Sequence, residues 1–476
     1  MLKKNDIIEL TVTGMTYEGL GVARYNDEQL KDFVIFIHNA VVGDVISARI
    51  VKILKRYAYA ILEMIITPSD DRTEPQCSSF PKCGGCSFLN VNYETELKYK
   101  YDFVNSAFKK YHLEGIEPTA VVPSPQNINY RNKVQYPVGR NGRFGFYARQ
   151  SHRVIPIGDC VLQDNDFSNI VKIVEDYIST YAVSCYNEET GEGLIRHLYI
   201  RKAPKTGKIM VCLVINGKTI PHKEQFTTLI SAYSHVVSIY LNINTRFDNV
   251  ILGRECILLW GNPEIEDFLN GLTFKISPLS FYQINGPQAE QIYKHIAENM
   301  GLTANDIVLD LYCGIGTIAL SVAHKVKKVL GIEIIEEAVA NAGENAAINN
   351  IKNALFYISD ASYTQSIIND LPQNERPNVV IVDPPRKGLT DETIEAIKIL
   401  APDKIIYISC NPSTQAHDIA LLNGTACEYT STELIESQPS SVLKYEIKSI
   451  TPFDMFPRTP HVETVVLMSR VEKDVN

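Results

Sequence analysis

Residues 276–476 predict an α/β domain with a doubly wound sheet; a mixed α+β region and a small N-terminal β-barrel precede it. Three observations carry this expectation. Short apolar runs rich in Ile and Val, namely Ile307-Val308-Leu309, Val379-Val380-Ile381-Val382 and Ile405-Ile406-Tyr407-Ile408, read as buried parallel strands. Helix-like segments from Glu336 to Asn349 and from Asp391 to Leu400 separate them, which gives β-α alternation. Far upstream, Ile7 to about Ile66 alternates apolar and polar residues, as in Asp44-Val45-Ile46-Ser47-Ala48-Arg49-Ile50, with turn signals at Gly14, Gly19, Gly21 and Gly43. Several short strands with such turns suggest a barrel of the oligonucleotide-binding type.

Taken in order, residues 1–66 form the expected barrel, and Lys52, Lys55, Arg56, Tyr57 and Tyr59 could supply phosphate contacts and base stacking from it. The bland alternative is a barrel that only packs on its neighbour. A polar stretch rich in turn formers, Thr67-Pro68-Ser69-Asp70-Asp71-Arg72-Thr73-Glu74-Pro75, marks a boundary to a central region at 67–275. In that region Leu194 to Arg201 and Ile209 to Ile215 are expected to be sheet neighbours.

Four cysteines stand out there: Cys77, Cys83 and Cys86 in one loop with Pro81, Gly84 and Gly85, then Cys160 in Gly158-Asp159-Cys160. The chain starts Met1-Leu2-Lys3-Lys4-Asn5-Asp6, without a signal peptide, and has no long apolar span. A reducing, cytoplasmic setting with no membrane is therefore expected, which disfavours disulfides and favours a metal centre. A set of four thiolates serves zinc or an iron-sulfur cluster equally. The remaining Cys185, Cys212, Cys256, Cys313 and Cys427 read as small buried hydrophobes.

The balance of 46 basic against 55 acidic residues, net −9, says little about nucleic acid. Distribution says more. From Pro118 to Gly158 there is no Asp or Glu, while Arg131, Lys133, Arg140, Arg143, Arg149 and Arg153 interleave with Tyr130, Tyr136, Phe144, Phe146 and Tyr147. That composition suits a phosphate-tracking and base-stacking surface, against the alternative of a solvated hairpin with its aromatics in the core.

The chemistry lies at the carboxyl ends of the predicted C-terminal strands, where ligands collect in doubly wound sheets. Gly314-x-Gly316-x-x-Ala319 with Glu333 about 20 residues on fits a dinucleotide fingerprint, so a nicotinamide dehydrogenase is a serious competing reading. Asp383-Pro384-Pro385 after a strand resembles instead the loop with which S-adenosylmethionine (SAM) enzymes hold an acceptor near the methyl. The aromatic residue that ends this loop in amino-group methyltransferases is replaced by Arg386. Ser409-Cys410-Asn411-Pro412 supplies a thiol. Carbon 5 of uracil is too poor a nucleophile to take a methyl unaided, and a thiolate adding to carbon 6 activates it. A base must then remove the carbon 5 proton, and the best candidate is Glu463 in Pro460-His461-Val462-Glu463.

With these motifs the chain resembles the RNA 5-methyluridine methyltransferase family, and within it the bacterial 23S rRNA (uracil-5-)-methyltransferases, over essentially all of its length. Phe281-Tyr282-Gln283-Ile284-Asn285 looks like the family's Phe-x-Gln-x-Asn element. The resemblance implies Gln283, Tyr312, Gly314, Glu333 and Asp383 as SAM contacts, Cys410 as nucleophile and Glu463 as base. Asp360 sits where SAM enzymes often bind the adenine edge. Glu18-Gly19-Leu20-Gly21-Val22-Ala23 looks like a TRAM domain, and the resemblance favours a 4Fe-4S cluster on the four cysteines. It also returns Tyr93 to Tyr111 to the catalytic domain. The expected partner is RNA, 23S rRNA before tRNA, with the protein a monomer; a silent RNA-binding or assembly protein is the rival from another class.

Overall fold

A computed structural model describes residues 2–113, 115–424 and 444–471; Cys427 lies outside the described residues. Five strands, β1 (Ile7–Met15), β2 (Leu20–Tyr25), β3 (Phe33–His38), β4 (Val45–Ile53) and β5 (Tyr57–Thr67), close into a barrel of order β1-β2-β3-β5-β4. Alternation places Leu10, Val12, Ile35, Ile37, Ile46, Ala48 and Ile50 inside. A long loop holding three of the cysteines leads to α1 (Tyr93–Lys110), capped by the Asn92 side chain accepting from the Thr95 amide.

The central region holds β6 (Lys133–Pro137), the short pair β7 (Gly145–Tyr147) and β8 (Val154–Pro156), α2 (Asn165–Thr180), β9 (Ile195–Lys202), β10 (Ile209–Ile215), α3 (Lys223–Ser231), β11 (Val236–Ile243) and β12 (Glu255–Gly261). Its sheet runs β12-β11-β10-β9-β6; β9 and β10 are the neighbours expected, and they pair antiparallel. A hairpin, β13 (Ile265–Leu269) and β14 (Leu272–Ile276), leads into the C-terminal layer.

That layer comprises α4 (Gly286–Asn299), β15 (Ile307–Leu311), α5 (Thr317–Val322), β16 (Lys328–Glu333), α6 (Glu336–Ile348), β17 (Ala354–Ile358), α7 (Thr364–Asn369), β18 (Val379–Val382), α8 (Asp391–Leu400), β19 (Lys404–Ser409), α9 (Pro412–Leu422), β20 (Tyr445–Phe453) and β21 (Glu463–Arg470). The seven strands run in the order β17-β16-β15-β18-β19-β21-β20. The first five are mutually parallel, whereas β21 enters antiparallel beside β19. Strands buried on both faces need continuous apolar runs, and Val379–Val382 and Ile307–Leu309 are fully buried.

Helix α1 does pack on this layer: Val104 and Phe108 join the core formed by Leu309, Val380, Ile405 and Ile419. Its start is tied by charge. Lys100 is fully buried, with Nζ 2.7 Å from Glu96 and 2.6 Å from Asp454, while Arg458 reaches Glu96 at 3.4 Å. Tyr93 donates to Asp454 at 2.7 Å. This network anchors the 454–458 segment, which leads directly to Glu463. Removing one partner strands buried charge, so Lys100→Met is expected to cost about 3–5 kcal/mol in chemical denaturation.

Candidate active site at the carboxyl edge of the sheet

The loop after β15 is shaped by backbone conformations with positive φ: Tyr312 (φ 68°), Gly314 (54°) and Gly316 (83°). A Cβ at Gly314 would meet nothing within 4 Å, so the loop leaves open space where a ligand can approach the backbone. Glu333 ends β16 and its Oε2 accepts from the Gly314 amide at 3.1 Å, which closes one side of this cradle. Tyr312 is partly buried beside Thr393. Asp310 is buried and accepts from the Ala319 amide at 3.0 Å, fixing the turn into α5. Burial, then the Asp383 charge, holds the Asp310 carboxyl far above its ordinary value.

Asp360 caps the short turn after β17, accepting from the Ser362 amide at 2.9 Å and hydroxyl at 2.7 Å through the same oxygen. Those bonds lower its pKa. Gln283 precedes α4, and its carbonyl accepts from the Asn132 amide side chain at 2.8 Å. Asn285 caps α4 and donates to Ser124 and to the Met455 carbonyl. The Phe-x-Gln-x-Asn element is thus held between the central region and the 454–458 segment.

Cys410 follows β19 at a sharp strand-to-helix turn, with Asn411 capping α9 and Pro412 opening it. The register pairs Ser409 with Thr464, so the next positions outward are Cys410 and Glu463. Glu463 is 3% exposed. Burial and then the Asp383 charge push its carboxyl well above the ordinary range, while Arg386 opposes them. Burial raises Asp383 to about 7. Cys410 is pushed up to about 11 by burial and the Glu463 charge, with the Arg386 guanidinium pulling it down. His461 is held neutral, lowered to about 4 by burial and then by Arg386. Thiol, carboxyls and one guanidinium are therefore near enough to shift one another, with Glu463 buried, Asp383 and Cys410 partly buried and Arg386 exposed. Iodoacetamide alkylation of Cys410 in the free protein should titrate with a midpoint near 11, and Arg386→Ala should move it higher.

Arg386 is the functional candidate that sequence reasoning passed over, reading it only as the residue in place of an aromatic. Its carbonyl is held by Asn411 at 3.2 Å and by Thr414 at 3.4 Å, which joins the Asp383-Pro384-Pro385 loop to the Cys410 turn.

The four upstream cysteines lie within one another's electrostatic reach. Burial and then the charge of Cys160, with weaker effects of Cys83 and Cys77, raise the Cys86 thiol. Cys160 is raised to about 11 by burial, with Arg131 pulling it down. Among the described residues no group of three or more His, Cys, Asp or Glu is set to close on an ion. Four thiols and two adjacent guanidiniums, Arg131 and Arg149, nonetheless fit an anionic metal-thiolate centre in donor chemistry, if not in the spacing seen here.

The basic, aromatic stretch before Cys160 buries three of the five aromatics expected to stack, leaving Phe146 and Tyr147 partly buried and Arg140, Arg143 and Arg153 exposed. Tyr130, Tyr136 and Phe144 are at most 3% exposed, and Tyr136 and Phe144 belong to the core under α2. Arg149 bonds the Cys86 carbonyl and Ser87, while Arg140 and Arg143 pair with Glu189 and Glu175. Period-two alternation along β6 turned Val134 and Tyr136 inward. The barrel keeps its aromatic patch: Phe36, Tyr57 and Tyr59 meet at 5.4–5.7 Å beside exposed Lys52, Lys55 and Arg56.

Comparison with known proteins gives the family and agrees with the fold. Residues 266–471 match the tRNA (Uracil-5-)-methyltransferase family model and residues 2–62 the TRAM domain. An uncharacterized RNA methyltransferase of Clostridium tetani is 38% identical, over 98% of this chain and 97% of its own. One from Staphylococcus aureus is 39% identical over 98% and 99%. The crystal structure of Pyrococcus abyssi tRNA (uracil-54, C5)-methyltransferase with S-adenosyl-L-homocysteine superposes with TM-score 0.75 at 25% identity, covering 97% of this chain and 99% of that one. Fold and site define a SAM-dependent RNA methyltransferase with an N-terminal TRAM barrel. The chain belongs to the RNA (uracil-5-)-methyltransferase family, and the dehydrogenase reading falls. No helix among the described residues is long and apolar enough to cross a membrane.

Proposed function

We propose that the protein methylates carbon 5 of a uridine in 23S rRNA, with Cys410 as nucleophile and Glu463 as base. The observation that carries this reading is the antiparallel entry of β21, which sets Glu463 opposite Cys410. SAM supplies a sulfonium methyl, and Tyr312, Gly314, Glu333, Asp360, Asp383 and Gln283 are the residues proposed to hold it and the target base. The Cys410 thiolate adds to carbon 6, and the resulting enolate carbon 5 takes the methyl as its bond to the sulfonium sulfur breaks and S-adenosyl-L-homocysteine leaves. Glu463 as carboxylate then removes the carbon 5 proton, and the carbon-sulfur bond breaks to release the thiolate and 5-methyluridine. Arg386 favours the thiolate and carboxylate forms against the burial that opposes both. The base reaches this recess from an unpaired loop or by flipping.

The pairing of barrel and four-cysteine loop supports 23S rRNA, as in the members the sequence resembles. Likeness to a structure named for tRNA uracil 54 favours tRNA as the second reading. Transfer of labelled methyl from SAM to separate 23S rRNA and tRNA transcripts tests this. Label on rRNA alone is expected, and label on tRNA alone would overturn the substrate assignment. Cys77, Cys83, Cys86 and Cys160 are proposed to hold a 4Fe-4S cluster that braces this region, with zinc the alternative. Iron and acid-labile sulfide assays on anaerobically prepared protein decide between them, and Cys86→Ser should abolish loading. The protein is proposed to act as a monomer in the cytoplasm.

A further inference from the structure

The connection between β1 and β2 leaves the barrel and enters the catalytic recess. Its Tyr17 hydroxyl donates to the carbonyl of Cys410 at 3.2 Å, across 393 residues of sequence. That carbonyl lies one residue outside the hydrogen-bond ladder of α9, whose cap is Asn411. The Tyr17 ring stands edge-on to Phe103 of α1 at 5.7 Å and to His461 at 6.4 Å. The turn is pinned from within, because the Gly19 amide donates to the Thr16 carbonyl and the Leu20 amide to the Thr16 hydroxyl. It is pinned from outside as well. A Cβ at Gly19 (φ 77°) would come within 2.8 Å of the Ser87 Cβ, and the Ser87 amide donates to the Arg458 carbonyl at 2.9 Å. Ser87 directly follows Cys86. The cysteine loop, the barrel turn and the segment leading to Glu463 therefore meet around Tyr17.

We propose that Tyr17 is a positioning residue of the methyl-transfer centre: its phenol fixes the backbone of Cys410 against the His461–Glu463 loop, so that the barrel completes the catalytic site. The inference rests on Cys410 acting as the nucleophile. Burial, then the charge of Cys410, raises the Tyr17 phenol to about 12, so it stays a hydrogen-bond donor throughout the working range. Without the hydroxyl the Cys410 carbonyl loses its donor and the strand-to-helix turn can rotate, which moves the thiol relative to the base. A barrel that serves only to hold RNA would instead act on affinity.

Tyr17→Phe keeps the ring contacts and removes only the donor. In the full-length protein, single-turnover methyl transfer at saturating RNA should slow about 5- to 10-fold, with KM for RNA and the thermal midpoint unchanged. An unchanged single-turnover rate, whether KM rises or not, would overturn the proposal, and so would a loss of rate that tracks a lowered thermal midpoint. Wild-type protein in the same assay separates the two levels. If it methylates RNA without forming an adduct on Cys410, the underlying reading fails first and takes the role of Tyr17 with it.

Discussion

Cys410→Ala is expected to bring methyl transfer down to the no-enzyme background while SAM binding and the thermal midpoint persist. In the proposed mechanism the thiol at the carboxyl end of β19 forms the reversible bond to carbon 6 that activates carbon 5. The side chain is partly buried at a turn whose shape is set by Asn411 and Pro412, so its truncation removes few packing contacts. Equilibrium binding of radiolabelled SAM beside a methylation assay checks both halves. Retained methylation would place the acceptor chemistry elsewhere. A variant that loses SAM binding would mean that Cys410 shapes the cofactor pocket.

Glu463→Gln should behave differently. The amide fills the same space at the start of β21 but cannot take the carbon 5 proton, so methyl transfer can proceed while release cannot. Turnover is expected to fall about 10²- to 10⁴-fold, with protein-RNA adduct accumulating on natural RNA, seen as a slow band on a denaturing gel. The pH dependence follows from the same charges. Glu463 raises the Cys410 thiol, so removing its charge should lower the alkylation midpoint from about 11. Both groups are acids whose burial raises them, and the proposed mechanism needs both deprotonated. The wild-type rate should therefore climb through neutral pH into the alkaline range rather than level off at 7. Slow turnover without adduct would assign the base to another residue.

Much of the C-terminal layer was legible because parallel strands buried on both faces must be continuous apolar runs, and the motif-bearing loops sit at their ends. The barrel was legible from alternation and glycine turns. The meeting of Cys410 and Glu463 was expected only through the motif resemblance, since the antiparallel entry of β21 beside β19 that produces it is a register no local pattern encodes. Tyr17 carried no signal for the same reason: its partner lies in another layer. The stretch from Tyr130 to Tyr147 misled in the opposite direction. Interleaved aromatics and arginines have the composition of an RNA surface, yet side-chain alternation buried Tyr136 and Phe144 and turned Arg149 onto the cysteine loop. Composition does not record which face a side chain takes. Arg386 was visible, but its value depends on being the cation among Asp383, Glu463 and Cys410, which only the fold brings together.

Covalent trapping tests the central claim most directly. Full-length protein, SAM and 23S rRNA fragments or whole tRNA carrying 5-fluorouridine would be incubated and resolved by denaturing gel and peptide mass spectrometry. Fluorine at carbon 5 removes the proton assigned to Glu463 in the proposed mechanism, so on that mechanism the reaction stalls after methyl transfer. A SAM-dependent adduct mapped to Cys410 on the rRNA, absent in Cys410→Ala, is the predicted result. Methylated RNA without any adduct, or an adduct on another residue, would contradict it.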